Sequence, residues 1–129
     1  MDEARLIMKD FADKNPLGSV ATVSAAGVPS LATVFVFVHS DFTFYFGTRS
    51  TTQKFANILE NPLVAVALSS THTLETLQMR GSAELVSDSE AVRGLLETLR
   101  NTFAHEKQTW MTSTDAAAHG IYHHDVSRW

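Results

Sequence analysis

The sequence predicts a mainly β fold, an antiparallel sheet that closes on itself with α-helices flanking it. Three observations carry that prediction. Apolar runs of β-forming residues at 17–24, 31–38 and 63–68 are too short for most helices and are separated by turn signals. Phe42, Phe44 and Phe46 alternate with Thr43, Tyr45 and Gly47, a period of two that puts three phenylalanines on one face. Between Asn15 and Gln53 the only charged residues are Asp41 and Arg49, and between Asn61 and Ala83 only Glu75 and Arg80. The interior is thus written in the middle of the chain, with charged helices outside it. Strand–helix alternation, the mark of a doubly wound sheet, is missing.

The elements follow in order. Residues 2–14 set Ala4, Ile7, Met8 and Phe11 at helical spacing behind an Asp2 cap, and Asn15-Pro16 stops this amphipathic outer helix. Leu17 to Ser24 and Leu31 to Val38 form a hairpin about the Ala25-Ala26-Gly27 turn. After a His39-Ser40-Asp41 turn comes the phenylalanine strand. Ser50 and Gln53 make a capping-box pattern for a short helix from about Thr51 to Glu60, with Phe55, Ile58 and Leu59 on its apolar face and Asn61-Pro62 at its end. Leu63 to Leu68 and Thr73 to Val86 read as two more strands, with a bulge at Gly81. Ser87 to Glu90 opens a third helix whose Val92, Leu95, Leu96, Leu99 and Phe103 face the core, and Gly120 to Val126 reads as a last strand.

Composition narrows the functional classes. A chain of 129 residues buries roughly two-thirds of its surface, enough for one domain over 1–129. Ten Lys and Arg against 14 Asp and Glu give a net charge of −4, so there is no general electrostatic attraction to nucleic acid or an anionic membrane. The absence of Cys excludes disulfides, thiolate metal sites and thiol catalysis. An apolar content of 44% excludes disorder. No run of about 20 apolar residues exists, and Met1 is followed by Asp2, Glu3 and Arg5 rather than by a leader pattern. A cytoplasmic, non-membrane protein is the expectation.

The stretch most informative about chemistry is Phe46 to Lys54. An aromatic strand ends, Gly47 follows, then Thr48, Arg49, Ser50, Thr51 and Thr52, and a helix begins with Lys54 in its first turn. Free backbone N–H groups, the positive end of a helix dipole, hydroxyl donors and fixed cations together are what a phosphate requires. The same residues also suit an ordinary helix cap at Ser50 or Thr51 with Arg49 and Lys54 in solvent, and the spacing leaves both readings open. The glycine spacing of a nucleotide P-loop or a Rossmann turn is absent.

The stretches LGSVATVSAAGVPSLATVFVFV, FYFGTRSTTQKFANILENPLVAVAL and LQMRGSAELVSD, in this order of elements, resemble the pyridoxamine 5'-phosphate oxidase-like family of FMN-binding split β-barrels over about residues 5–100. The most specific part is an aromatic strand, Thr, three variable residues, Ser or Thr, one residue and Lys, then a helix closing on Asn-Pro. Thr48, Thr52, Lys54 and Asn61-Pro62 fill that pattern. The resemblance implies FMN as cofactor, its phosphate held by Thr48, Thr52 and Lys54 with Arg49 and Thr51 beside them, and its ring lying along Ser30 to Phe35 with Val34 and Phe35 touching it. Phe37 and Val38 read as ordinary core. It also implies a homodimer with the cofactor between subunits, acting on a small-molecule substrate as an oxidoreductase that moves electrons between a donor and an acceptor that the sequence does not identify.

Departures limit the transfer. In the vitamin-forming oxidases a Gln lies five residues before the strand glycine; counting back from Gly81 gives Thr76, with Gln78 two residues out of register. The Arg- and His-bearing C-terminal segment that grips pyridoxal phosphate has no recognisable version here, so synthesis of that vitamin is not implied. His119, His123 and His124 cluster near the end without a carboxylate or Cys to complete a metal set. Metal ligation is therefore not the expectation, and a deazaflavin- or haem-using barrel or a non-catalytic flavin-binding module is the alternative. No hydrolytic motif surrounds Ser19 or Ser30, Asp41 reads as a turn residue, and Glu75 and Arg80 fall on opposite strand faces. No catalytic residue is assigned.

Overall fold

The computed structural model describes residues 3–39, 42–49 and 51–86, the backbone of 119–126, and the helical Glu90, Arg93, Gly94, Glu97 and Asn101. Its elements are α1 (Glu3–Lys14), β1 (Leu17–Val23), β2 (Pro29–Val38), β3 (Phe44–Arg49), α2 (Gln53–Glu60), β4 (Leu63–Ser69), β5 (Thr76–Val86) and β6 (His119–Val126). All strand pairs are antiparallel, and the order β1-β2-β3-β6-β5-β4 closes into a barrel through the β1–β4 pair. β6 is the closing strand, running between β3 and β5.

Alternation builds the interior. Val20, Val34, Val36, Val38, Phe44, Phe46, Val64, Val66, Leu68, Met79 and Ala83 form one buried cluster. Phe44 and Phe46 are wholly buried, and each contributes about 1.5–3 kcal/mol relative to an exposed ring. At Gly18 the β1 backbone runs so close to β4 that a Cβ there would meet the carbonyl oxygen of Ala67 and the side chain of Leu68. Gly27, at φ +83°, supplies the left-handed residue of the β1–β2 turn.

Several expectations shift. α1 turns Met8, Phe11 and Ala12 to the barrel, whereas Ala4 is exposed and Ile7 is 63% exposed. Arg5, not an apolar residue, completes the inner face by standing 5.3 Å over the Phe42 ring. Phe42 precedes β3, at a positive φ of 66°, so only Phe44 and Phe46 of the three alternate within the strand. Gly81 is no bulge: the β4–β5 ladder passes from Leu63↔Ser82 through Val64↔Gly81 to Ala65↔Arg80 without an extra residue. β5 begins at Thr76 because Ser70 closes a turn before it, its hydroxyl accepting from the N–H groups of His72 and Thr73. Glu75 therefore lies off the strand that carries Arg80. The apolar face expected for the third helix, the turn residue Asp41 and the cap Ser50 lie outside the described residues. Among the described residues no helix is long and apolar enough to cross a membrane.

Candidate phosphate site and outer face

α2 starts at Gln53, and its N-cap is Thr52, in place of the capping box expected from Ser50 and Gln53. The Thr52 hydroxyl accepts from the Phe55 N–H at 3.3 Å and lies 2.8 Å from the Arg49 carbonyl, to which it donates. Thr48 Oγ1 lies 3.0 Å from Thr52 Oγ1, and its side chain is buried at the end of β3. Thr48 Oγ1 also lies 3.4 Å from the Arg49 carbonyl, so both hydroxyls converge on it and are engaged in holding the turn. Gln53 turns along the helix instead of back to the cap, donating from Nε2 to Asn57 Oδ1 at 2.8 Å. The geometry thus gives the cap reading to Thr52.

That leaves the cations and the amides to face outward. Arg49 and Thr51 are exposed, and Lys54 stands partly buried in the first turn without an ion pair among the described residues. Burial pushes the Lys54 ammonium below its ordinary pKa, because the charged form loses water. The N–H groups of Gln53 and Lys54 sit in the first turn, where a helix provides no carbonyl partner. A dianionic group placed here would meet those amides, the helix dipole and Lys54 together.

The other residues singled out divide between the two sides of β2. Val34 is buried in the barrel cluster, so it offers a ligand outside only its backbone, while Phe35 points outward opposite Leu17. Val38 is core as expected. Phe37, though buried, lies on the outer side and stacks on Tyr45 with ring centroids 5.1 Å apart.

The outer face of β1, β2, β4 and β5 carries a feature that pattern reading did not reveal. Two cross-strand rows run Leu31–Ala21–Ala65–Arg80 and Thr33–Ser19–Ala67–Gln78. Small residues on β1 and β4 between larger ones on β2 and β5 make an open depression of about 390 Å³. Leu31 is 74% exposed beside it, and Leu17 and Leu63 are also exposed on outward positions. The alternation of Ser19 and Ala21, and of Ala65 and Ala67, with buried valines is visible in the sequence, but which strands lie side by side is not. Gln78 lines the depression and Thr76 does not.

His119, His123 and His124 fall on β6 opposite Arg49, Tyr45 and Phe44 respectively. The first two share one face and His124 the other. Their side chains lie outside the described residues. Among the described residues no three His, Cys, Asp or Glu side chains come together as a metal set.

Solved structures share this architecture. An F420 reductase is 20% identical with a TM-score of 0.77, over 93% of this chain and 93% of that one. The conserved hypothetical protein Rv2991 of Mycobacterium tuberculosis is 22% identical with a TM-score of 0.80, over 99% and 82%. General Stress Protein 26 of Bacillus anthracis is 19% identical with a TM-score of 0.74, over 97% and 90%. No curated protein matches the sequence. The family model described as pyridoxamine 5'-phosphate oxidase matches residues 7–129. With its six-stranded barrel and its Thr48–Lys54 turn, the chain belongs to the pyridoxamine 5'-phosphate oxidase family of split barrels.

Proposed function

We propose that the protein is an FMN-dependent oxidoreductase that works as a homodimer, with cofactor and small-molecule substrate held where two barrels meet. The observation that carries this reading is Lys54: a partly desolvated cation without an ion pair among the described residues, in the first turn of a capped helix, at the family's phosphate position. Bound FMN would supply the electron chemistry. The chain's own part is to hold the phosphate through Lys54, Arg49 and the first amides of α2, with Thr48, Thr51 and Thr52 shaping the turn. The Val34 backbone and the Phe35 ring then line the way to the isoalloxazine. The outer depression and its exposed leucines favour a second copy, because a small-residue face rimmed by Leu17, Leu31 and Leu63 gains by covering that apolar area.

A deazaflavin is the second reading, supported by the structural likeness to a protein named F420 reductase. The absorption spectrum of the purified protein and the mass of any ligand released from it separate the two cofactors. Added FMN raises the melting temperature in a concentration-dependent way if the protein binds it. Absence of that shift at high FMN refutes the FMN assignment. Anaerobic mixing of the FMN-loaded protein with nicotinamide donors then separates an enzyme from a binding module.

A further inference from the structure

We infer that Asn57 and Thr22 are positioning residues, which set the rotation of α2 and with it the direction in which Lys54 and the first amides of the helix point. This rests on reading that helix N-terminus as the phosphate site. Four polar side chains are buried among the described residues. Ser70 closes the β4–β5 turn and Thr48 supports the cap. The other two, Asn57 and Thr22, each 1% exposed, bond each other: Asn57 Nδ2 donates to Thr22 Oγ1 at 3.0 Å, joining α2 to β1 across 35 positions of chain. Asn57 Oδ1 in turn accepts from Gln53 Nε2 at 2.8 Å. A continuous relay therefore runs from the barrel wall to the first residue of the helix, between the cap Thr52 and Lys54.

Packing by itself does not demand this relay. Two apolar residues of similar shape fill such a place at nearly equal stability. α2, however, has only eight residues, and Ile58 is its one fully buried apolar side chain. Phe55, partly buried, packs against the same core. Apolar contact is non-directional, so Ile58 and Phe55 hold a two-turn helix to the barrel without setting its roll about its axis. The bond from Asn57 to Thr22 of β1, on the same buried face, removes that freedom, and the Gln53 bond within the helix holds the Asn57 amide with its Nδ2 towards Thr22. The beneficiaries lie in the first turn, where a small roll swings Lys54 and the amides of Gln53 and Lys54 away from a common point.

The test compares FMN with riboflavin, which lacks the phosphate, on the full-length protein. In the variant Thr22→Val with Asn57→Leu, both partners of the bond become apolar, so melting without ligand stays near wild type. FMN binding weakens about tenfold, as outer partners of a ligand set do, and riboflavin binding holds. Thr22→Ser, which keeps the hydroxyl, retains FMN affinity. Should the double variant fail to fold, Gln53→Leu cuts the relay at its exposed end, and a selective weakening of FMN is again the expected result. Unchanged FMN affinity in the relay variants, where Lys54→Ala loses it, overturns the positioning role and leaves the phosphate site standing. If Lys54→Ala also binds FMN normally, both fall. Equal losses for FMN and riboflavin overturn the inference too, by making the relay a support of the fold alone.

Discussion

Thr48 Oγ1 lies 3.0 Å from Thr52 Oγ1, both hydroxyls reach the carbonyl of Arg49, at 3.4 and 2.8 Å, and Thr52 caps α2. Two of the family's signature hydroxyls thus hold each other. Thr52→Ala removes the acceptor of the Phe55 N–H and is expected to cost about 0.5–2 kcal/mol. Thr48→Val removes a single donation and is expected to cost about 1 kcal/mol. The double variant falls short of the sum, because the same bond is lost in both singles. Urea unfolding midpoints at constant m check this, and strict additivity contradicts the shared bond.

Lys54→Ala is expected to weaken FMN roughly tenfold to a hundredfold, the contribution of about 1.5–3 kcal/mol that a charge-assisted hydrogen bond makes. Riboflavin affinity stays as it was. Isothermal titration with both ligands decides the matter: equal losses place Lys54 near the ring or in the fold, and no loss removes it from the phosphate.

The lowered pKa of Lys54 fixes the sign of two pH effects. In the free protein the folded state holds this proton less tightly than the unfolded chain does. Lys54 therefore subtracts stability at neutral pH, and the loss is relieved as pH rises from the depressed value towards the ordinary lysine range. Lys54→Met is expected to melt no lower than wild type at pH 7. FMN, conversely, favours the protonated amine, so its affinity falls as pH rises through the depressed value. Titrations of wild type and Lys54→Met across alkaline pH check both signs; an FMN affinity with the same pH dependence in the two proteins contradicts the assignment.

On the outer face, Ala67 sits between Ser19 and Gln78 in a row of small and medium side chains. Ala67→Arg places a charge on the face proposed to pair with a second copy. Light scattering is expected to show a dimer for wild type and a monomer for the variant, with FMN weakened in parallel. A variant that remains dimeric moves the interface elsewhere.

Much of the barrel was legible because strand alternation and turn residues are local. Phe44 and Phe46, the hairpin at Gly27, and the stop at Asn61-Pro62 each declare themselves within a few residues. The period of two extends to Phe42, whereas β3 starts at Phe44, because the pattern continues through a residue whose backbone has turned to positive φ. Spacing puts Ile7 on the apolar face of α1, yet it lies outward, because an amphipathic pattern does not say which of two adjacent apolar residues meets the sheet. Thr52 as cap was equally hidden: every hydroxyl from Thr48 to Thr52 can cap a helix, and the end of β3 selects one.

By itself the sequence determined the strand-rich class, the closeness of hydroxyls and cations to a helix start, and the family, because these depend on neighbours in the chain. Only the tertiary structure decided that Asn57 meets Thr22, that Ala21 and Ala65 stand side by side, and that β6 closes the barrel between β3 and β5. Those relationships join residues far apart in the chain. They exist because a closed sheet pairs every strand edge and leaves each buried polar group one place to find its partner.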